Sequence, residues 1–243
     1  MIIKGRGIRV GANFLDIEDN YVVNSILHTN NNVSILRNHT ALTQIQLTSA
    51  NGSGVIELLL PSLLTVDYSV VIETGDLQDL DLSALQTIGD AFQVNYMTMT
   101  SNLDLSSLVS VLNSINISNC PNLPAIIMPS LSSCDTLAIT DNPSLVNVNI
   151  PTLSTVNTVS ISRNSSLDTI DVDPSVFNCL SINFQENMLT QTNVDDILLA
   201  VDTAGLTGGE LLLDGGANSS PTGGVGNTEY LSLIGKGWTV AIN

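Results

Sequence analysis

Between Leu131 and Asn187 the chain repeats itself in steps of 22 or 23 residues, and no other feature constrains its fold as tightly. Leu131, Cys134, Leu137, Ile139, Asn142, Leu145, Val148 and Ile150 are matched in order by Leu153, Val156, Val159, Ile161, Asn164, Leu167, Ile170 and Val172. A third copy begins at Val176, Cys179, Ile182, Phe184 and Asn187. A unit this short cannot bury its apolar side alone and must stack on its neighbours, which is the signature of a solenoid.

The register extends upstream. One apolar column runs Leu58, Leu80, Leu103, Ile126, Val148 and Ile170, and a second runs Val70/Ile72, Phe92/Val94, Ile115/Ile117, Leu137/Ile139, Val159/Ile161 and Ile182/Phe184. Each i, i+2 pair points inward from a short strand and leaves the residue between on the outside. Stacked coils turn these strands into parallel sheets. Val33, Ile35, Asn38, Leu42, Ile45 and Leu47 sketch a first, imperfect coil. Asn38, Asn142, Asn164 and Asn187 recur after the second strand, where a buried amide can bond the turning backbone of its own and adjacent coils. Gly75, Met97 and Cys120 occupy the same column and interrupt that ladder.

Past Asn187 the pattern changes. Thr192 and Asp195 suggest a capping box, Val194, Leu198 and Val201 line one face of a helix, and Gly205 stops it. A strand at Leu211–Leu213, a turn-rich loop at 217–226, a short helix near Thr228–Ile234 and a strand at Trp238–Ile242 follow, with Trp238 packed beneath them. The expected fold is mainly β, a β-solenoid of 22–23-residue coils with a small α/β C-terminal cap. Its divisions are an N-terminal arm and cap at 1–32, the repeats at 33–188 and the C-terminal cap at 189–243.

Six Lys and Arg against 23 Asp and Glu give a net charge of −17. Phosphate contacts need clustered cations, so nucleic acid is not an expected partner, and an anionic membrane is disfavoured for the same reason. Lys4, Arg6 and Arg9 stand in the first ten residues without an acid, leaving three cations and all 23 acids on the rest. Asp16, Glu18 and Asp19 interrupt the apolar run that a signal peptide requires, so none is expected. No uninterrupted apolar run reaches about 18 residues, so no membrane insertion is expected either. Cys134 and Cys179 share a column two coils apart, roughly 9–10 Å at the strand spacing. A disulfide spans at most about 7 Å between Cα atoms, and Cys120 lies on another part of the coil, so three reduced core thiols are expected.

The unit from Leu153 to Ile170, L-x-x-V-x-x-V-x-I-x-x-N-x-x-L-x-x-I, resembles leucine-rich repeats. The second strand at Val148-x-Ile150-Pro151-x-Leu153 is closer to the receptor-L-domain and BspA-like variants than to the helix-backed horseshoe. The resemblance covers residues 33–187. The tail from Leu189 to Val240, with its L-L-D-G-G-x-N-x-x-P-T-G-G core, is similar to the end segment of repeat proteins encoded by tailed phages and some aquatic bacteria. Membership there implies a virion or adhesion component. The first 30 residues have no counterpart in the repeat, and a cell-surface protein would carry the export signal that is not seen.

Catalytic constellations are scarce. His28 and His39, the only histidines, have no Cys or acidic neighbours at metal-ligand spacing. Gly215-Gly216 and Gly223-Gly224 lack the Lys-Ser/Thr of a phosphate loop. Asp81 and Asp104 fall at equivalent outward positions, roughly 5 Å apart if their coils stack, which suits a retaining glycosidase pair or a cation. An exposed acidic face that keeps the protein soluble explains them as well. One outward face carries Glu57, Asp79, Asp81, Asp104, Asn147, Asn149 and Asp171. The other is uncharged, and its candidate binding residues are Ser114, Asn116, Thr136, Thr140, Thr158, Ser160, Ser162, Asn183 and Gln185. Such a face is cheap to desolvate and suits contact with protein or glycan, although a plainly solvated sheet would look the same. It lacks the regular Thr-x-Thr rows of an ice-binding surface.

The expectation is therefore a non-enzymatic structural or adhesion protein of a virion, a fibre or capsid decoration, with no catalytic residues, metal or cofactor. The alternatives are a bacterial cell-surface leucine-rich-repeat adhesion protein and a glycan-degrading tailspike. Its expected partners are other virion proteins, reached through Lys4, Arg6 and Arg9, and a host surface protein or glycan. The arm has a competing placement, laid back on its own acidic solenoid.

Overall fold

A computed structural model of the chain describes residues 8–9, 26–27, 40–42, 44–48, 57–75, 77–173 and 177–243. It is a parallel β-solenoid whose coils have three sides. The coil at 79–95 shows the plan: Asp79–Asp81 forms the first side, Thr87–Ile88 the second and Phe92–Asn95 the third. All the strand pairs are parallel, because successive coils run in one direction.

The third side is a nine-stranded sheet and the spine of the molecule. Val70, Phe92, Ile115, Leu137, Val159 and Ile182 stand side by side in it, and each is at most 1% exposed. The first side is built from Glu57–Leu59 paired with Asp79–Asp81, and from a separate run of Leu103–Asp104, Ala125–Ile127, Asn147–Asn149 and Thr169–Asp171. Between the first and second sides each coil turns on the L-x-x-L spacing. Leu63 donates its backbone N–H to Leu60, Leu85 to Leu82, Leu108 to Leu105, Leu131 to Met128 and Leu153 to Ile150. The two apolar residues are thus positions i and i+3 of a β-turn, and both point inward.

The second side was not legible as a strand. Ala41–Leu42, Thr65–Val66, Thr87–Ile88 and Ser110–Val111 pair in two-residue strands, and single bridges carry the row on to Ser133 and Thr155. Val66, Ile88, Val111, Cys134, Val156 and Cys179 are the one inward residue per coil on this side, all at most 6% exposed. All three cysteines are free and buried.

The C-terminal segment continues the solenoid rather than merely closing it. Ile182, Leu211 and Val240 remain side by side in the long sheet, although the step between them is now 29 residues. The added length is taken up by two helices, α1 (Gln191–Thr203) and α2 (Thr228–Gly235), which pack against each other. Val194, Ile197, Leu198 and Val201 turn the buried face of α1 to the core. The cap of α1 is Thr190, whose side chain accepts from the Asn193 N–H, and not the Thr192/Asp195 box expected from spacing. Asp195 instead accepts from the backbone N–H and hydroxyl of Thr222, tying the helix to the following loop. Trp238 is 4% exposed and donates its ring N–H to the Leu206 carbonyl at 3.0 Å.

At the other end, Ile8–Arg9 pairs with Ile26–Leu27 in a separate two-stranded sheet. Val33, Ile35, Asn38 and Val176 lie outside the described residues.

Candidate functional site

The nine candidate binding residues lie together on the third side, on four consecutive strands or, for Gln185, just beyond the last of them. The register sets Ser114, Thr136, Thr158 and Ser181 in one outward row, and Asn116, Ala138, Ser160 and Asn183 in the next. A third row runs Ser118, Thr140 and Ser162, followed by Gln185. Pleating alternates these residues with the buried core, so every side chain of the rows points away from it.

The rows differ in how far their polar groups are already engaged. Ser118 donates its hydroxyl to Asn95 at 2.7 Å, and Asn95 donates its amide to Glu73 at 3.1 Å. At the far end Gln185 donates to the Asp214 carboxylate at 2.6 Å, while Asn183 turns its side-chain oxygen to the backbone N–H of Gln185. Ser162 departs from expectation. Its position is outward in the strand, yet it is 2% exposed and its hydroxyl has no partner, so it presents nothing to solvent. The remaining candidates are half-buried, as strand residues flanked on both sides must be.

The uncharged field has charged borders. Glu73 stands beside Asn95 on one flank, and Glu210 stands beside Ser181 on the other. Along the turn that follows the third side, Asp141 and Arg163 form a two-point ion pair across adjacent coils, both contacts at 2.8 Å. The Arg163 guanidinium holds the Asp141 carboxyl below its usual range, and Asp141 in turn raises Arg163. This residue pair falls in a column of left-handed backbone: Tyr96, Asn119, Asp141, Arg163 and Glu186 all have φ between 55° and 62°. No sequence signal marked that column, since the one glycine-free position in common carries five different side chains.

Asp81 and Asp104 fall on two different first-side sheets. Asp79–Asp81 pairs with Glu57–Leu59 and Leu103–Asp104 with Ala125–Ile127, leaving Asp81 and Asp104 on either side of a break in the first-side sheet. Each carboxylate caps its own turn: Asp81 accepts from the Ser83 N–H and hydroxyl, and Asp104 from the Ser106 N–H at 2.9 Å. Among the described residues no three His, Cys, Asp or Glu side chains gather in a way that could hold a metal ion. No described helix is long and apolar enough to cross a membrane.

Lys4, Arg6, His28 and His39 lie outside the described residues, and of Arg9 only its place on the Ile8–Arg9 strand is described. Comparison of the chain with protein-family models, with curated proteins and with solved structures found no match.

Proposed function

We propose that this is a non-enzymatic β-solenoid of leucine-rich-repeat type, a fibre or capsid-decoration component of a tailed-phage virion that uses its third side to contact protein or glycan. One observation carries the contact surface. On a chain of net charge −17, four neighbouring strands turn outward a field of hydroxyls and amides with no charge, bordered by Glu73 and Glu210. Covering neutral groups costs far less than stripping water from carboxylates, so this is the part of the surface that a partner covers most cheaply. The virion assignment rests on the resemblance of the repeat and of the Leu189–Val240 tail.

Two measurements test the reading separately. Mass spectrometry of purified particles should find this chain in a fixed copy number; its presence only in a bacterial surface fraction would replace the virion with a cell-surface adhesin. For the face, Asn116→Asp combined with Ser160→Asp should abolish attachment to host cells while leaving the thermal melt close to that of the parent. Undiminished attachment would move the contact to another side. Release of new reducing ends from host glycan would contradict the non-enzymatic assignment.

A further inference from the structure

The second side carries a groove, and it differs in chemistry from the third side. It runs along the solenoid axis over five coils with a volume of about 760 Å³. Its floor is the backbone of the two-residue strands, whose inward side chains, from Val66 to Val156, belong to the core. One wall is a row of hydroxyls, Thr65, Thr87, Ser110, Ser133 and Thr155. The opposite wall reads Asp67, Gly89, Leu112, Asp135 and Asn157.

Three observations point to an occupant. First, the hydroxyl row is unused. At other corners hydroxyls tie coil to coil: Ser130 donates to the Ser106 carbonyl at 2.7 Å, Ser144 to Pro121 at 2.6 Å and Thr152 to Pro129 at 2.8 Å. Among the described residues none of the five groove hydroxyls is engaged in this way. Second, the groove contains Asp67 and Asp135, the latter accepting from the Asn157 amide at 2.6 Å, and among the described residues no cation lines it, Arg163 and Lys236 being paired with Asp141 and Asp202. Third, the wall has an apolar post. Leu112 is 69% exposed, and at the neighbouring coil Gly89 carries no side chain because the Asp67 carbonyl already fills the place of its Cβ.

We propose that this groove binds an extended basic peptide segment, lying along the solenoid axis. Five coils span four strand spacings, about 19 Å. An extended chain of about six residues covers that length. Asp67 and Asp135 are three coils apart, about 14 Å, which an extended peptide covers in about four residues. Lys or Arg at positions i and i+4 therefore face the same wall and meet both carboxylates. The side chain at i+2 falls between the Gly89 and Leu112 coils, so an apolar residue there meets the exposed Leu112. A chain perpendicular to the strands cannot join the sheet, and the hydroxyl row supplies partners for its backbone groups. A neutral glycan would cover the two carboxylates without pairing them, at a desolvation cost.

The test uses a fluorescent peptide GKSLSKG and its counterpart GKSLKSG, in which the second lysine is displaced by one residue. Fluorescence anisotropy at low salt should give saturable binding of the first peptide by the full chain. The pair Asp67→Asn and Asp135→Asn should weaken it by about five- to tenfold, as expected for two exposed ion pairs, and the displaced peptide should lose about threefold. The pair Asp79→Asn and Asp104→Asn removes the same charge from the first side and should change binding less than about twofold. Thermal melts confirm that each variant folds. Equal weakening by both pairs, equal affinity for both peptides, or no saturable binding would overturn the proposal. Displacement of the peptide by a neutral oligosaccharide would reassign the groove to glycan. None of the four substitutions replaces a residue of the third-side rows, and Asp135→Asn keeps a side-chain oxygen for the Thr136 hydroxyl, so this outcome is separable from the proposed function.

Discussion

The side-chain oxygen of Asn164 accepts the backbone N–H of Asn142 in the preceding coil at 3.0 Å, while its amide donates to the Ile139 and Ser162 carbonyls. The same contact repeats one coil down, from the Cys120 N–H to Asn142, and one coil up, from the Asn164 N–H to Asn187. Each buried amide closes the backbone groups that the turn after the third side leaves open. Asn164→Leu would strand one N–H and two carbonyls in a dry interior and should cost at least about 3 kcal/mol by denaturant unfolding. A loss under about 1 kcal/mol would show that the turn finds other partners.

Cys120 marks where this ladder stops, with its Sγ 3.9 Å from the Val94 carbonyl that an amide would reach. Cys120→Asn should add a rung by bonding Val94 and the Met97 N–H, and stabilise by up to about 1 kcal/mol, read as a melting temperature raised by a few degrees. A lowered melting temperature would mean the cavity rejects the planar amide.

Left-handed backbone predicts opposite effects at two positions. Tyr96 holds φ 62° and is 61% exposed, so Tyr96→Gly relieves backbone strain at little packing cost and should stabilise by about 1 kcal/mol. Gly216 has φ +59°, and a Cβ there would lie 2.7 Å from the Glu186 backbone. Gly216→Ala should therefore destabilise by about 2 kcal/mol or more, since strain and collision add. Equal and small effects would place the strain elsewhere.

Acid sensitivity follows from two carboxylates. Hydrogen bonds from Ser69 and then Asn113 hold Asp90 below its ordinary range, as the Arg163 hydrogen bonds do for Asp141. A lowered folded-state value means that the contribution is present above the unfolded value, about 3.9, and is lost as pH falls through the folded one. The stability gap between the parent and Asp141→Asn should be widest near neutrality and close below about pH 4. A gap independent of pH would assign the effect to packing. Both Asp141 and Arg163 are partly exposed, so the gap should be small and shrink with salt.

Burial raises all three thiols, Cys120 to about 11 and Cys134 to about 12, with Asp135 and then Cys179 adding to the rise at Cys134. A thiol reagent at pH 8 should label none of them in the folded chain and all of them in denaturant. A Cys134–Cys179 disulfide would refute the stacking, because Val156 lies between them in the column.

What the amino-acid order determined by itself is the coil: its 22–23-residue step, the inward columns from Leu58 and Val70, the asparagine column, and the uncharged row around Asn116 and Ser160. These are legible because an i, i+2 pair at a fixed step carries the strand period and the repeat period together. The second side was not, since Thr65–Val66 and its neighbours place one inward residue per coil, and a single residue has no period. Tertiary structure alone made that side a sheet, and hence a groove. It also decided that Asn218 carries the ladder onward, donating to Phe184 and accepting from Leu189, 31 residues beyond Asn187. The inserted helices break the sequence period there, but the backbone groups of the last coils still need partners, and stacking brings the next amide to them whatever its distance along the chain.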